Sequence, residues 1–194
     1  MNKEDRRSKR TERVLLWALT ELLKQKPLRN ITVNELVQLA DLHRSTFYTH
    51  YSDIYDFYHQ VEQRFLAVYK NNVRECASHN YDGVFRSIIT YMDENRMEAG
   101  MLLGENADPS FRNELTEFLA EQYIHISLYE DGICTIPRQF YSLASYHVGG
   151  IMNLLINWVQ SGYATPKEEL IKLCIELDYN MAVFRRKDPD KSRR

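Results

Sequence analysis

Glycine and proline are scarce in this sequence, whose 194 residues include seven Gly and five Pro. Architectures built from many short strands and tight turns need more of both, so their scarcity favours long helices. Apolar residues make up 44% of the chain and charged residues 27%, which excludes a largely disordered protein. No alternating strand pattern with hairpin turns is present, and the sequence therefore predicts an all-α fold.

Long hydrophobic runs are also absent. Residues 14–19 form one of the longest apolar runs, and it is far shorter than the roughly 18–20 residues that cross a bilayer. The first residues are mainly charged and polar and are followed by no apolar signal core. We therefore expect a cytoplasmic protein with no membrane partner.

Cysteine is rare, and the three residues Cys76, Cys134 and Cys174 lie far apart with no C-x-x-C pair. They are expected to be reduced, packed thiols. Cys76 and His79 are close enough along a helix for half of a metal or redox site, but no further ligands accompany them and an incidental pair is favoured. Metal-ligand patterns, Gly-rich phosphate loops and nucleophile elbows are missing, so we expect no metal, no cofactor and no enzymatic activity.

Charge is distributed unevenly. Residues 1–50 contain ten Lys/Arg and six Asp/Glu, a net of +4, whereas residues 51–194 contain fifteen and twenty-one, a net of −6. A basic end on an acidic body indicates a nucleic-acid partner at the N-terminus. The basic residues within 2–10 suit an arm along phosphates, with a solubilising tail as the alternative.

Two short helices are predicted inside the basic region. A first helix over residues 8–26 ends at Pro27. Thr32 and Glu35 form a capping box that begins the next helix, which stops at Asp41, a residue that tolerates left-handed backbone. Another short helix begins near Arg44. Two short helices joined by a tight turn are typical of a helix-turn-helix.

The second short helix has a surface suited to reading DNA. Phe47 and Tyr51 lie four residues apart and are predicted to pack inward, which leaves hydrogen-bonding side chains outside. Asp53 begins the following long helix. These residues, in this order and spacing, resemble the DNA-binding signature of the TetR/AcrR family of regulators: Ile31-Thr32-Val33, Leu36, Ala40-Asp41-Leu42, Ser45-Thr46-Phe47-Tyr48-Thr49-His50-Tyr51, Asp53 and Asp56-Phe57.

The resemblance implies a two-part protein. An N-terminal three-helix helix-turn-helix domain (residues 1–52) is expected to precede a C-terminal helical bundle for dimerisation and ligand binding (53–186) and a basic tail (187–194). A homodimer that reads a palindromic operator is implied, since one short helix makes too few base contacts. The DNA-facing set implied is Thr32, Arg44, Ser45, Thr46, Tyr48, Thr49 and His50, with a partly core Tyr48 and a capping or packing His50 as alternatives.

Two residues depart from the family signature. Asp41 stands where the family usually has Gly, and Ile54 stands where it usually has a Lys that contacts phosphate. The Asp is tolerable in the turn. The Ile implies that one phosphate contact is lost or is moved to the backbone amides of the helix, which attract anions.

The C-terminal half carries a second, shorter resemblance. Residues 146–163 are similar to a TetR subgroup common in low-GC Gram-positive bacteria that includes dihydroxyacetone-kinase operon regulators. Two adjacent glycines in a helix cost about 1 kcal/mol each, so a close helix or a ligand is expected beside them. In the family the last two long helices pair between subunits, which implies a dimer interface, or else intrachain core, at Gly149, Gly150, Leu154, Leu155, Trp158, Leu170, Leu173 and Leu177.

A ligand pocket is expected among the aromatic residues and Met of the C-terminal part, with plain core as the alternative for each residue. The sequence indicates no class of ligand, except that the acidic surplus disfavours an anionic one. The candidates are Tyr69, Phe85, Ile89, Met92, Met101, Phe111, Phe118, Tyr123, Tyr141 and His147. The leading functional hypothesis is a ligand-responsive repressor. The alternatives are an activator or coactivator of the same fold that works with a partner protein, and a helical adaptor that binds no DNA.

Overall fold

The computed structural model describes residues 3–77, 81–131 and 138–186. These parts of the chain form nine α-helices and one short 3-10 helix (Leu28–Asn30), with no β-strand, which confirms the all-α prediction. The α-helices are α1 (Lys3–Leu23), α2 (Val33–Leu39), α3 (Arg44–Tyr48), α4 (Ile54–Ala77), α5 (Tyr81–Glu94), α6 (Arg96–Leu103), α7 (Pro109–Asp131), α8 (Arg138–Gln160) and α9 (Lys167–Arg186).

The first helix differs from its prediction. It begins at Lys3, five residues before the predicted start at Ser8, so the basic residues of the expected arm belong to α1. No Gly or Pro lies between Lys3 and Ser8, so nothing in the sequence breaks the helix in this stretch. The side chains of Arg6, Arg7 and Arg10 are exposed. None of the described helices is long and apolar enough to span a membrane.

The chain divides into two compact units. The N-terminal unit comprises Met1–Val68 and Glu94–Arg112, and the C-terminal unit comprises Tyr69–Asp93 and Asn113–Arg194. Helices α4 and α7 therefore contribute residues to both units. The basic tail predicted over residues 187–194 lies outside the described residues.

In the N-terminal unit, α1 packs against α2 and α6. The core side of α1 includes Leu15 and Leu19, which are both fully buried. The end of α6 is held by Arg112, whose guanidinium donates to the carbonyl oxygens of Leu103 at 3.1 Å and Gly104 at 2.5 Å. A Cβ at Gly104 would lie 2.5 Å from the carbonyl oxygen of Gly100, so only glycine fits at the end of this helix.

In the C-terminal unit, α8 and α9 form a helix pair joined by a tight turn. Gly162 and Tyr163 both have positive φ values, of 69° and 63°. The indole N–H of Trp158 donates to the carbonyl oxygen of Thr165 at 2.7 Å, and its ring meets the Tyr163 ring edge-on at 4.7 Å. This bond satisfies the polar edge of a buried indole and fixes the direction of α9 after the turn.

Candidate nucleic-acid interface and ligand cavity

The turn between α2 and α3 is a Schellman motif. The N–H of Leu42 donates to the carbonyl of Val37 at 2.9 Å, and the N–H of Asp41 donates to the carbonyl of Gln38 at 3.3 Å. Asp41 has a φ of 52°, so the left-handed backbone predicted for it is present. Its short polar side chain makes Asp one of the few residues other than Gly that adopt this conformation. The helix-turn-helix therefore closes without the family's usual glycine.

The predicted capping box at the start of α2 is confirmed. The Thr32 hydroxyl oxygen accepts from the Glu35 N–H at 3.3 Å, and the Glu35 carboxylate accepts from the Thr32 N–H at 2.9 Å. Lys26 adds an ion pair with Glu35 at 2.5 Å. These bonds, that from Lys26 foremost, lower the pKa of Glu35 to about 2. The hydroxyl of Thr32, an expected DNA contact, also donates to Glu35, so it is engaged at the helix end.

An aromatic cluster anchors α3 on the start of α4. Phe47 is fully buried and Tyr51 is 7% exposed, as the sequence predicts. The Phe47 ring lies 5.5 Å from that of Tyr51 and 6.4 Å from that of Phe57, and Tyr51 and Phe57 are 4.6 Å apart. Such ring pairs stabilise beyond the apolar area they bury. A five-residue helix is marginal alone, so this cluster holds α3 in place.

The remaining side chains of α3 and its end point away from this core. Tyr48 is 45% exposed, so part of its side chain packs on the core and the rest is open to a partner. Thr46 is half-buried. The other predicted DNA-facing residues are exposed: Thr32, Arg44, Ser45, Thr49 and His50.

Arg44 and Tyr48 form a pair on this face. The Arg44 guanidinium donates to the Tyr48 hydroxyl oxygen at 3.2 Å, and its central carbon lies 5.3 Å from the centre of the Tyr48 ring. The residues are one helical turn apart, which places both side chains on the same side of α3. An arginine stacked in this way has part of its rotamer freedom removed before any partner binds.

Thr49 and His50, the last two residues predicted to face DNA, directly follow α3. The Thr49 hydroxyl donates to the carbonyl oxygen of Ser45 at 2.9 Å. The His50 ring lies 6.1 Å from that of Tyr51, so His50 packs beside the aromatic cluster while remaining exposed.

The start of α4 carries a residue that departs from the family signature, Ile54, and an acidic side chain that caps the helix, Asp53. Ile54 is 5% exposed and belongs to the core. The Asp53 carboxylate accepts from the backbone N–H groups of Tyr55 and Asp56 at 2.8 and 2.9 Å. A carboxylate thus already engages two of the amides to which the phosphate contact could move, which favours the alternative that this contact is lost. Tyr55, also at this helix start, is a large side chain that is 54% exposed, and it was not among the residues that the sequence predicted to face DNA.

The predicted dimer residues separate into two groups. Leu155, Trp158 and Leu170 are at most 4% exposed, so they belong to the intrachain core and offer little surface to a second subunit. Leu173 and Leu177 are each 41% exposed on α9. Leu154 and Gly149 are half-buried and Gly150 is exposed, and no atom lies within 4 Å of a Cβ built on either glycine. A close neighbouring helix within the described chain is thus not the reason for these glycines.

A cavity opens within the C-terminal unit. It is partly open to solvent, and its walls come from α4, α5, α7 and α8. Of the predicted pocket residues, Phe85, Tyr123 and His147 line it. Sequence reasoning missed most of the aliphatic lining, because such residues have no signal that distinguishes a cavity wall from core: Val73, Val84, Ile88, Leu119, Ile126, Val148 and Ile151, together with the polar Gln122.

The other predicted pocket residues lie elsewhere. Phe111 and Met101 are fully buried in the N-terminal unit, where they fill the core. Tyr141 is 55% exposed. The remaining four are buried and do not line this cavity, which favours the core alternative for them: Tyr69, Ile89, Met92 and Phe118.

Cys174 is the cysteine whose side chain the structure describes. Cys174 is free and fully buried, as predicted, and burial raises its pKa to about 11, which disfavours the reactive thiolate. The side chains of Cys76, His79 and Cys134 lie outside the described residues. Within the described parts, no group of three His, Cys, Asp or Glu side chains could hold a metal ion.

The fold recurs in solved structures of known regulators. A Syntrophomonas wolfei protein assigned to the TetR family superimposes with a TM-score of 0.66 at 18% identity, over 91% of this chain and 96% of its own. The fatty acid degradation regulator FadR of Bacillus halodurans gives 0.62 at 11% identity, over 86% and 93%. The dihydroxyacetone kinase operon activator DhaS gives 0.50 at 15% identity, over 89% and 94%, which shows a common fold alone.

Sequence similarity identifies the family. No curated protein sequence matches the chain. Residues 79–177, just over half of the 194 residues, match the TetR family model for the transcriptional regulator C-terminal region. The match covers α5 to α8 and half of α9, and the helix-turn-helix described above precedes it. The chain therefore belongs to the TetR family of transcriptional regulators.

Proposed function

We propose that the protein is a homodimeric, ligand-responsive repressor that binds a palindromic operator through α3 of each subunit. The observation that carries the proposal is the polar outer face of α3, fixed from below by the buried Phe47. The commonest specific contact to guanine is a bidentate arginine, and Arg44 is the arginine of this helix. Tyr48, Thr49 and His50 are suited to phosphate and sugar contacts that set the position on the duplex.

The dimer is proposed to form through the exposed surface of α8 and α9. Leu173 and Leu177 lie one turn apart on α9 and supply an apolar stripe. Gly149 and Gly150 supply a flat patch on α8 where another helix can approach closely. A two-fold axis would use the same surface on both subunits, and it would present two α3 helices to two half-sites.

The dimer proposal is tested with one substitution and a matched control. Leu173→Glu should convert the protein from dimer to monomer in light scattering coupled to gel filtration, because it places a charge in an apolar contact. Leu39→Glu is the control, since Leu39 is 39% exposed in the N-terminal unit. If both variants stay dimeric, α9 does not form the interface.

DNA binding is tested on the intergenic DNA beside the protein's own gene. Wild type should bind as a dimer and weaken as salt rises, because phosphate contacts release counterions. Arg44→Ala/Tyr48→Ala should abolish specific binding and leave helicity unchanged. Arg86→Ala is the control, since it removes an exposed arginine that pairs with Glu168 in the C-terminal unit. Equal binding by wild type and the double variant would remove α3 from the proposal.

The DNA-binding experiment also tests two alternative functions. An activator or coactivator of this fold would bind DNA in the same way, and the operator's position relative to the promoter distinguishes it from a repressor. A helical adaptor would show no salt-sensitive DNA binding at all. Under the proposal the protein acts in the cytoplasm on chromosomal DNA and has no catalytic role.

A further inference from the structure

The cavity of the C-terminal unit is apolar on most sides. Nine of its twelve described lining residues are aliphatic or Phe, from α4, α5, α7 and α8. The polar ones are Gln122 and Tyr123 on α7 and His147 on α8, which lie on two neighbouring walls. A ligand in this space would lose water from most of its surface and could form hydrogen bonds only toward these two helices.

His147 is the one ionisable imidazole of the lining and is built into the wall. Its side chain is 6% exposed, and its ring lies 4.7 Å from the Tyr123 ring. Its Nε2 lies 2.8 Å from a carboxylate oxygen of Asp178 on α9, which is itself 14% exposed. Since a carboxylate only accepts, the proton is held on Nε2.

That arrangement leaves the second ring nitrogen available. Nδ1 of His147 forms no hydrogen bond with any of the residues that the structure describes. In the neutral ring with the proton on Nε2, Nδ1 is an acceptor. A ligand that fills the cavity excludes water from Nδ1, and an acceptor left without a donor is then costly, so a ligand that donates to Nδ1 is favoured over one that does not.

The charges near the cavity disfavour an anionic ligand. None of its described lining residues is Lys, Arg, Asp or Glu. Two cations of α4, Lys70 and Arg74, lie over the ring of Phe118 at 5.4 and 5.6 Å, and Phe118 is not part of the lining. A carboxylate at His147 would face Asp178 across one imidazole, and burying an ion without a full counter-charge is expensive.

We infer that this cavity takes a neutral, mainly apolar ligand with a hydroxyl group that donates a hydrogen bond to Nδ1 of His147. The inference rests on the proposed function, because it names the class of effector for that regulator. The hydroxyl is read by one nitrogen whose tautomer is set by Asp178. The rest of the ligand is held by the apolar walls.

Three small probes that share one apolar body test the inference by titration calorimetry at neutral pH. 4-Butylphenol has the neutral hydroxyl, 4-butylanisole carries a methyl in place of its proton, and 4-butylbenzoate is an anion. The phenol should bind about tenfold more tightly than the anisole, which is the loss of one hydrogen bond of about 1.4 kcal/mol. The benzoate should bind most weakly. Equal affinity for phenol and anisole, or tightest binding of the benzoate, would overturn the inference.

Two further measurements locate the contact. His147→Phe should reduce phenol affinity about tenfold and leave anisole affinity unchanged, whereas the matched control His125→Phe, at an exposed position of α7, should change neither. In wild-type protein, the ¹⁵N shifts of the His147 ring should show a proton on Nε2 and none on Nδ1. Adding the phenol should then move the Nδ1 resonance. A proton on Nδ1 in the free protein would refute the proposed acceptor.

Failure of this inference is distinguishable from failure of the proposed function. All of these titrations use protein without DNA, and operator binding is measured separately on the wild-type protein without ligand. If none of the three probes binds while specific DNA binding persists, the ligand class is wrong and the regulator stands. If DNA binding is absent and the phenol still binds as expected, the cavity assignment stands and the regulator falls.

Discussion

The contact between Arg44 and Tyr48 predicts that the two residues act as a unit in DNA binding. The guanidinium is both hydrogen-bonded to the Tyr48 hydroxyl and stacked over its ring. Tyr48 therefore orients Arg44 before DNA arrives. Removing Tyr48 should weaken the contact that Arg44 makes, in addition to any contact of its own.

The size of this coupling follows from the geometry. A bidentate arginine contributes about 1–3 kcal/mol to discrimination between bases. An exposed stacked cation contributes about 0.5–1 kcal/mol, and ordering a long side chain on binding costs a similar amount. We therefore expect the double variant Arg44→Ala/Tyr48→Ala to lose about 0.5–1 kcal/mol less than the sum of the single variants. Tyr48→Phe, which keeps the ring and removes the hydroxyl, should lose part of this coupling energy.

The assay is fluorescence anisotropy of a labelled operator duplex, titrated with wild type, the three alanine variants and Tyr48→Phe at two salt concentrations. Arg44→Ala should relax specificity at one base pair without changing the salt slope, whereas losing a phosphate contact lowers the slope by about 0.9. Strict additivity of the single variants, with Tyr48→Phe equal to wild type, would show that the pair seen in the free protein has no role in binding.

Three further predictions concern the N-terminal unit. Because Asp41 has a φ of 52°, Asp41→Gly should unfold at higher urea than Asp41→Ala, by about 1 kcal/mol; equal midpoints would contradict the left-handed turn. The pKa of Glu35 is lowered to about 2, so its stabilising contribution is complete above its usual pKa and is lost as pH falls from about 4.5 toward 2; Glu35→Gln should reduce the acid sensitivity of the urea midpoint, and an unchanged pH profile would refute the pairing. A Cβ at Gly104 would meet backbone at 2.5 Å, so Gly104→Ala should lower stability by about 1–3 kcal/mol, seen as a lower Tm.

Much of the N-terminal unit was predictable because its signals are local. The capping box needs only Thr32 and Glu35 at the right spacing, and the turn needs only a residue such as Asp41 that tolerates positive φ. The inward packing of Phe47 and Tyr51 follows from their four-residue separation. The pairing of Arg44 with Tyr48 was not predicted, because it depends on rotamers that sequence spacing permits but does not require.

The cavity was much harder to predict, since a wall and a core residue have the same composition. Phe85 lines the space, whereas Ile89, one turn later on the same helix, is fully buried away from it. The partnership of His147 with Asp178 joins residues 31 positions apart on different helices. No periodicity in the sequence relates them, and only the packing of α8 on α9 brings them together.

The adjacent glycines of α8 connect stability with assembly. In a helix interior, Gly149 and Gly150 cost about 1 kcal/mol each relative to alanine, and the described chain places nothing within 4 Å of either added Cβ. Their cost within one subunit therefore has no compensation there, and the compensation expected is the close approach of a second subunit. Gly150→Ala should then raise the unfolding free energy of the monomer while weakening the dimer, which dilution in an analytical ultracentrifuge and urea unfolding can separate. If alanine stabilises the chain and leaves the dimer unchanged, the glycines do not lie at the interface, and Leu173 and Leu177 must mark it without them.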